Sequence, residues 1–416
     1  MRVYVGTNGC IEAQLSSTNI ARFLRENGLT IVNGPSQAET VVFWACGLTE
    51  RSEKDSLLAI RRVQEKMKPA TKLIVCGCLP KINPESLLGI YNGPFVVSTD
   101  NSSLKEILEA TRVPFDSLDI AGAQNLLLSS QPSGLNKFDK ADCLGGAFIL
   151  LKQNWDRLWA RSRQNTKFWI RIAAGCTGHC TYCSERLVYG KLKSRPINKI
   201  ISDLELGLQQ GYNTISLIAT DLGAYGKDIG VTLSDLLEKM VRIDSNRSFK
   251  IALNQVFPSY LKKMLPDLEK IFASGRISAL NCPVQSGSNR ILRLMGRPYT
   301  AEEWRESMIR INSGFPDIRL STHFLVGFPT ETEEDFAATL KLFDYPLFLD
   351  SMVIFKFSAR PGVYASRMAS QVSEKTKESR SRKISQKYMQ AYVLNSPIRM
   401  ARGIFCPNRV PAQVEY

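Results

Sequence analysis

Short apolar runs alternate with longer stretches of helical periodicity from the first residues onward. Arg2–Gly6, Thr40–Ala45, Lys72–Cys76 and Phe95–Ser98 read as strands, with Ser16–Glu26, Glu50–Met67 and Leu104–Thr111 as helices between and after them. Such alternation builds a parallel sheet with helices on its faces. It resumes at Phe168–Ile172, Thr214–Ala219, Phe249–Leu253, Ser278–Cys282, Arg319–Val326 and Ser351–Phe355. Helical patterns fill the gaps: Ile197–Gln210, Leu233–Ile243, Ser259–Phe272, Arg290–Met295, Ala301–Ser313 and Thr332–Phe343. The expected fold class is α/β, a Rossmann-like parallel-sheet domain followed by a partial (β/α)6 TIM-like barrel. The chain divides into an N-terminal domain (1–112), a linker (113–166), the barrel (167–370) and a basic helical tail (371–416).

Charge changes the picture at two places. Lys152 to Arg171 interleaves Lys152, Arg157, Arg161, Arg163, Lys167 and Arg171 with Trp155, Trp159, Phe168 and Trp169. That mixture suits either a nucleic-acid surface or a linker helix whose tryptophans pack between domains. Residues 374–387 carry six cations against two acids. They read as a solvated helical face, with RNA contact as the competing reading. The whole chain has 416 residues and a formal net charge of +15, which a solvated basic surface or a polyanionic partner would each explain. No run approaches a membrane span and the N-terminus starts at once as a strand, so a cytoplasmic location without membrane contact is expected.

Ten cysteines in a chain expected to be cytosolic argue for metal rather than disulfides, and two histidines disfavour histidine acid–base chemistry. Cys176, Cys180 and Cys183 stand at C-x3-C-x2-C spacing in the loop leaving the strand Phe168–Ile172. Three thiolates can wrap a four-iron cluster and leave one iron open to a small molecule. The alternative is a structural zinc loop, whose only nearby fourth ligand is His179, poorly placed beside Cys180. A second set follows from topology. Cys10, Cys46 and Cys78 each come just after a strand of the first sheet, and parallel strands share one carboxyl edge. Glycines 9, 47 and 77 would let the backbone pass close to a group held there. Three small buried residues at strand ends are the alternative. Cys76 and Cys143 belong to neither set and read as packing.

The run Gly175-Cys176-Thr177-Gly178-His179-Cys180-Thr181-Tyr182-Cys183, with Gly190 to Pro196 after it, resembles the radical S-adenosylmethionine (SAM) enzymes, in particular their methylthiotransferase branch. Thr220 to Gly230 resembles the loop of the members acting on threonylcarbamoyladenosine in tRNA. Pro283 to Ser288, Val326 to Thr332 and Phe357 to Gly362 resemble later barrel loops of the family in order. The resemblance implies two [4Fe–4S] clusters, on Cys176, Cys180 and Cys183 and on Cys10, Cys46 and Cys78, together with SAM. It implies SAM contacts from Tyr182, Gln285, Ser286, Gly287, Ser288, Gly327 and Phe328, and no acid–base catalyst. The implied reaction inserts sulfur, as methylthio, into an unactivated C–H bond through a SAM-derived radical, with a redox protein delivering electrons.

The family pattern is not followed everywhere. Trp44 and Ala13 stand where the family usually has Asn beside the first two N-terminal cysteines. Asn281 and Cys282 precede Pro283 where His and Leu are usual, and His323 takes a common acidic position, where it reads as packing. The family normally ends in a small RNA-gripping β-barrel, for which the stretch after Tyr388 is short. tRNA is the implied partner, weakened by that shortness; a small-molecule or peptide substrate of a C–S bond-forming tailoring enzyme is the alternative. A non-catalytic metal-binding RNA module is the alternative from another class.

Overall fold

A computed structural model describes residues 1–97, 101–108, 112–113, 167–243 and 248–394. The Lys152–Arg163 cations with their tryptophans, Cys143, and the stretch after Leu394 lie outside the described residues.

The first sheet contains β1 (Arg2–Thr7), β2 (Thr30–Ile31), β3 (Thr40–Ala45), β4 (Lys72–Gly77) and β5 (Phe95–Val97), ordered β2-β1-β3-β4-β5. All its pairs are parallel, and β3 is buried along its whole length because helices cover both faces. The helix Glu50–Lys66 starts at a capping box, in which Ser52 N–H donates to Thr49 Oγ1 (3.1 Å) and Thr49 N–H to Ser52 Oγ (2.9 Å). The helix expected from Ser16 begins at Ile11, directly after Cys10. Its first turn is hard to read from the sequence because its inward positions hold small and polar residues such as Ala13 and Ser17 instead of large apolar ones.

The second sheet contains β6 (Lys167–Arg171), β9 (Thr214–Ile218), β10 (Lys250–Leu253), β11 (Ile277–Asn281), β12 (Arg319–Val326) and β13 (Ser351–Lys356), all parallel and in chain order across the sheet. A two-stranded antiparallel ribbon, β7 (Ala173–Ala174) with β8 (Lys193–Ser194), carries the loop between them. The two faces of the second sheet differ. Phe168, Ile170, Ile215, Leu217, Ile251, Leu253, Leu280 and Phe324 join the large core formed with the helices. The opposite rows hold Ser216, Ala252, Ala279, Asn281, Ser321 and His323. A closed TIM barrel fills its centre with bulky branched chains. Here that face holds small and polar residues, all buried.

The tail read as a solvated basic face is a packed helix, Glu374–Leu394. Ile384 is fully buried in the barrel core. Lys377 Nζ donates to Phe357 O (2.8 Å), and Arg380 pairs with buried Glu331 (2.7 Å). Two of the six cations are therefore structural. Sequence alone hid this because a buried, paired cation and a solvated one look the same in composition.

Named contacts fix the two sheets to each other. Arg171 pairs with Glu12 (2.5 Å) and donates to Glu12 O and Ser16 Oγ, both at 3.1 Å. Arg360 pairs with Glu53, and the Glu50 N–H donates to Ser358 Oγ (3.0 Å). Ser184 Oγ donates to Leu48 O (3.1 Å).

Candidate active site

The loop carrying Cys176, Cys180 and Cys183 leaves β6 through β7. Gly175 has φ +76°, and a Cβ there would sit 2.1 Å from Lys191 O, so glycine alone permits this exit. The loop is pinned at several points. The Cys176 N–H donates to Gly190 O (3.3 Å), and Thr181 N–H and Oγ1 donate to Met295 O (3.0 Å) and Leu294 O (2.8 Å). Gly178 N–H donates to Cys176 Sγ (3.1 Å), and a Cβ on Gly178 would lie 3.2 Å from Cys176 Sγ and 3.7 Å from Cys180 Sγ. Two sulfurs thus flank one glycine. His179 is exposed. Among the described residues no three Cys, His, Asp or Glu side chains gather closely enough to hold one ion, the two cysteine sets included. A pocket of 620 Å³ opens beside Cys176 and His179, rimmed by Arg186, Lys191 and Lys227.

Cys10, Cys46 and Cys78 follow β1, β3 and β4, which are neighbours in the sheet, and their thiols fall within electrostatic reach of one another. Backbone fits tightly round them: a Cβ on Gly47 would meet Leu79 Cα at 2.8 Å. Cys76 is buried within β4, as its strand position implies. Burial pushes the Cys10 thiol up to about 12 and the Cys176 thiol to about 11, and raises Cys46, Cys78 and Cys183 as well. Thiols whose desolvation outweighs the nearby cations stay protonated and inert, whereas iron deprotonates them on coordination. The chemistry of both sets fits a metal cluster and not a free nucleophile.

Between the loop and the barrel interior stands Arg297, which sequence reasoning missed. It is 6% exposed, its Nε donates to Tyr182 Oη (3.0 Å), and its guanidinium lies 4.2 Å from the Phe257 ring centroid. Tyr182 therefore orients an arginine at the loop. Asp221, also missed, is 1% exposed; its Oδ1 accepts from Gly223 N–H (2.9 Å) and Phe257 N–H (3.2 Å), while Oδ2 has no partner. Burial raises its carboxyl to about 7. A positional signal existed for Asp221, which lies just past the carboxyl end of β9, whereas Arg297 lies between the helices Asn289–Leu294 and Ala301–Gly314 and carried none.

The expected SAM contacts separate into two groups. Gln285 is left-handed (φ +69°), donates from its backbone to His323 O (2.8 Å), and keeps an unpartnered buried Oε1. A non-glycine residue held in that conformation is the mark of a functional constraint. Ser286 and Ser288 have protein partners: Ser286 Oγ lies 3.3 Å from Thr339 Oγ1, and Ser288 Oγ donates to Asp335 (2.6 Å). Gly287 admits no side chain, since a Cβ would stand 2.4 Å from Ala338 O. Gly327 N–H donates to Glu331 (2.7 Å), and Phe328 is fully buried against Phe357. His323 packs edge-on against Phe355 (5.4 Å) and meets Asn281 Nδ2 at 3.2 Å. Burial, then Arg297, lowers its pKa to about 3, so it is neutral at ordinary pH.

Two carboxyls with raised pKa predict a pH response. Burial raises Glu185 to about 7, as it does Asp221. Between their ordinary range and about 7 the native state holds protons that the unfolded chain has lost, so stability falls as pH rises through that window. Urea unfolding of cluster-free protein is expected to give a lower midpoint at about pH 8 than at about pH 5. Asp221→Asn should flatten that decline, and an unchanged slope in this variant would contradict it.

A parallel half-barrel with three cysteines in the loop after its first strand defines the radical SAM class, and the profile of the Radical SAM superfamily matches residues 170–343. Residues 2–97 match uncharacterized protein family UPF0004. The chain is 32% identical over 368 residues to a probable threonylcarbamoyladenosine tRNA methylthiotransferase of Pyrococcus horikoshii, covering 88% of this chain and 79% of that one. It is 29% identical over 384 residues to a tRNA-2-methylthio-N(6)-dimethylallyladenosine synthase of Thermodesulfovibrio yellowstonii, covering 91% of this chain and 81% of that one. Among solved structures, the radical SAM methyltransferase TsrM of Kitasatospora setae has the same fold at TM-score 0.56 and 14% identity, covering 85% of this chain and 72% of that one. The chain belongs to the radical SAM methylthiotransferase family. It is an enzyme of that type rather than a non-catalytic metal module, and the family's chemistry rests on a [4Fe–4S] cluster and SAM. Among the described residues no helix is long and apolar enough to cross a membrane.

Proposed function

We propose that this chain inserts sulfur, as methylthio, at an unactivated C–H carbon of a modified adenosine in tRNA. In this reading Cys176, Cys180 and Cys183 hold one [4Fe–4S] cluster in the barrel (167–370), and Cys10, Cys46 and Cys78 hold a second in the N-terminal domain (1–112). The observation that carries it is that both three-cysteine sets flank one segment. Cys183 begins the run that Ser184 ties to Leu48, and Tyr189 ends that run beside Cys78 (3.8 Å).

When bound, the clusters and SAM supply hydrogen-atom abstraction and the sulfur to be transferred. The chain's own residues bind and orient. The unpartnered oxygens of Asp221 and Gln285 would accept hydrogen bonds from polar donors of SAM, since a buried acceptor left unmatched costs about 1–3 kcal/mol. Tyr182 holds Arg297 at the loop, where a cation balances the thiolates. Hydrogen-atom abstraction needs no general base, and His323, neutral and packed, offers none. The basic rim of Arg186, Lys191 and Lys227 beside Cys176 suits an acidic electron-donor protein.

The net charge of +15 and the names of the relatives favour tRNA as substrate. One observation favours a small molecule or peptide instead. Trp44 stands where the family usually has Asn, its Nε1 is buried without an acceptor, and it lies against Gly77 beside Cys78. The deciding experiment compares nucleosides in tRNA from cells with and without the gene. A methylthioadenosine derivative present only with the gene is expected; identical profiles would reject tRNA and leave the second reading.

A further inference from the structure

Tyr189 has no place in the family motifs or in the reaction described above. It is the last residue of the short helix Glu185–Tyr189, six residues after Cys183 in the barrel loop. Its hydroxyl nevertheless reaches into the first domain and lies 3.8 Å from Cys78 Sγ, within hydrogen-bond distance for sulfur. Cys78 is 3% exposed, and Cys78, Ile82 and Val188 form a small apolar cluster against which Leu48 and Tyr189 pack. The contact is therefore shielded from water, where a hydrogen bond is strongest. Between two neutral groups either atom can donate. A coordinated cysteine has lost its proton and only accepts, so the phenol must then be the donor.

We propose that Tyr189 is a positioning residue for the N-terminal cluster: it donates a hydrogen bond to the Cys78 thiolate and so sets the cluster's reduction potential from the barrel side. This rests on the reading that Cys10, Cys46 and Cys78 hold a cluster. A hydrogen bond to a ligating sulfur stabilises the more negative, reduced state and raises the potential. Because Tyr189 arrives only when the two domains are docked, the donor ties that potential to the geometry bringing the two cysteine sets together.

The test uses the full chain carrying Cys176→Ala, Cys180→Ala and Cys183→Ala, reconstituted anaerobically with iron and sulfide so that only the N-terminal set is loaded. Redox titration followed by electron paramagnetic resonance reads the potential. Tyr189→Phe keeps the ring and its packing and removes the hydroxyl. The expected result is a shift to more negative potential at unchanged iron content, while Ile82→Val, which alters the packing without touching the donor, leaves the potential in place. An unshifted Tyr189→Phe, or an equal shift in Ile82→Val, would overturn the proposal. A readout independent of these two substitutions is an exchangeable proton coupled to the cluster, seen by electron–nuclear double resonance with Tyr189 intact and lost in deuterated water; its absence also overturns the proposal. If the triple variant binds no iron, the second-cluster reading itself fails, an outcome distinct from an iron-loaded protein with an unmoved potential.

Discussion

Replacing any one of Cys176, Cys180 or Cys183 by alanine is expected to reduce formation of 5′-deoxyadenosine from SAM to background. The three thiols sit on one loop whose backbone is fixed by Gly190, Met295 and Leu294, and the neighbouring His179 is exposed. A cluster with three protein thiolates and one open iron has no redundancy. Alanine is the right replacement, since a serine oxygen could still coordinate. Iron bound at Cys10, Cys46 and Cys78 should survive, because those ligands hang from a different sheet. Iron and sulfide analysis should therefore report one cluster's content with no deoxyadenosine formed. A variant that still cleaves SAM, or that loses iron at both sites together, would show that the ligands are wrongly assigned.

The second large effect is on the domain junction. Arg360 follows the last barrel strand, and its guanidinium pairs with Glu53 of the helix Glu50–Lys66. Their side chains are 4% and 11% exposed, and Asn83 Nδ2 also donates to Glu53 (3.0 Å). Arg360→Ala leaves a buried carboxylate without its cation, which typically costs about 3–5 kcal/mol. Replacing both members, Glu53→Met with Arg360→Met, removes the stranded charge and should recover most of that loss. Urea unfolding of the cluster-free protein checks both. Loss of the same size in the single and the double variant would contradict the stranded-charge account. A functional consequence follows as well. The junction contacts of Glu50 with Ser358 and of Ser184 with Leu48 hold the two cysteine sets in register. Arg360→Ala is therefore expected to keep SAM cleavage in the barrel while its yield of methylthiolated product per deoxyadenosine falls.

Several readings from sequence held for identifiable reasons. The alternating strands and helices gave both parallel sheets, because one apolar run per strand and one apolar stripe per helix are local patterns. The placement of Cys10, Cys46 and Cys78 just after neighbouring strands of the first sheet followed from a topological rule, that neighbouring parallel strands share their carboxyl edge. The packing role given to His323 also agrees with its burial and edge-on contact. The Gln285–Ser288 loop was legible as a motif and not as contacts. Backbone pairing turns Ser286 and Ser288 toward the helix Glu333–Lys341 and leaves Gln285 with the unmatched oxygen. The basic tail shows the same limit, with Lys377 and Arg380 buried in a stretch whose composition reads as solvated.

By itself the sequence determined the class of chemistry, since thiol spacing within one loop and strand–helix periodicity both act over a few residues. Only the tertiary structure decided which polar groups are left unmatched and which residues join the two sites. Arg297, Asp221, Glu53 with Arg360, and Tyr189 beside Cys78 acquire their roles from partners far away in the chain. Burial, which makes an unpaired oxygen or a stranded charge costly, is a property of the folded packing and not of local sequence.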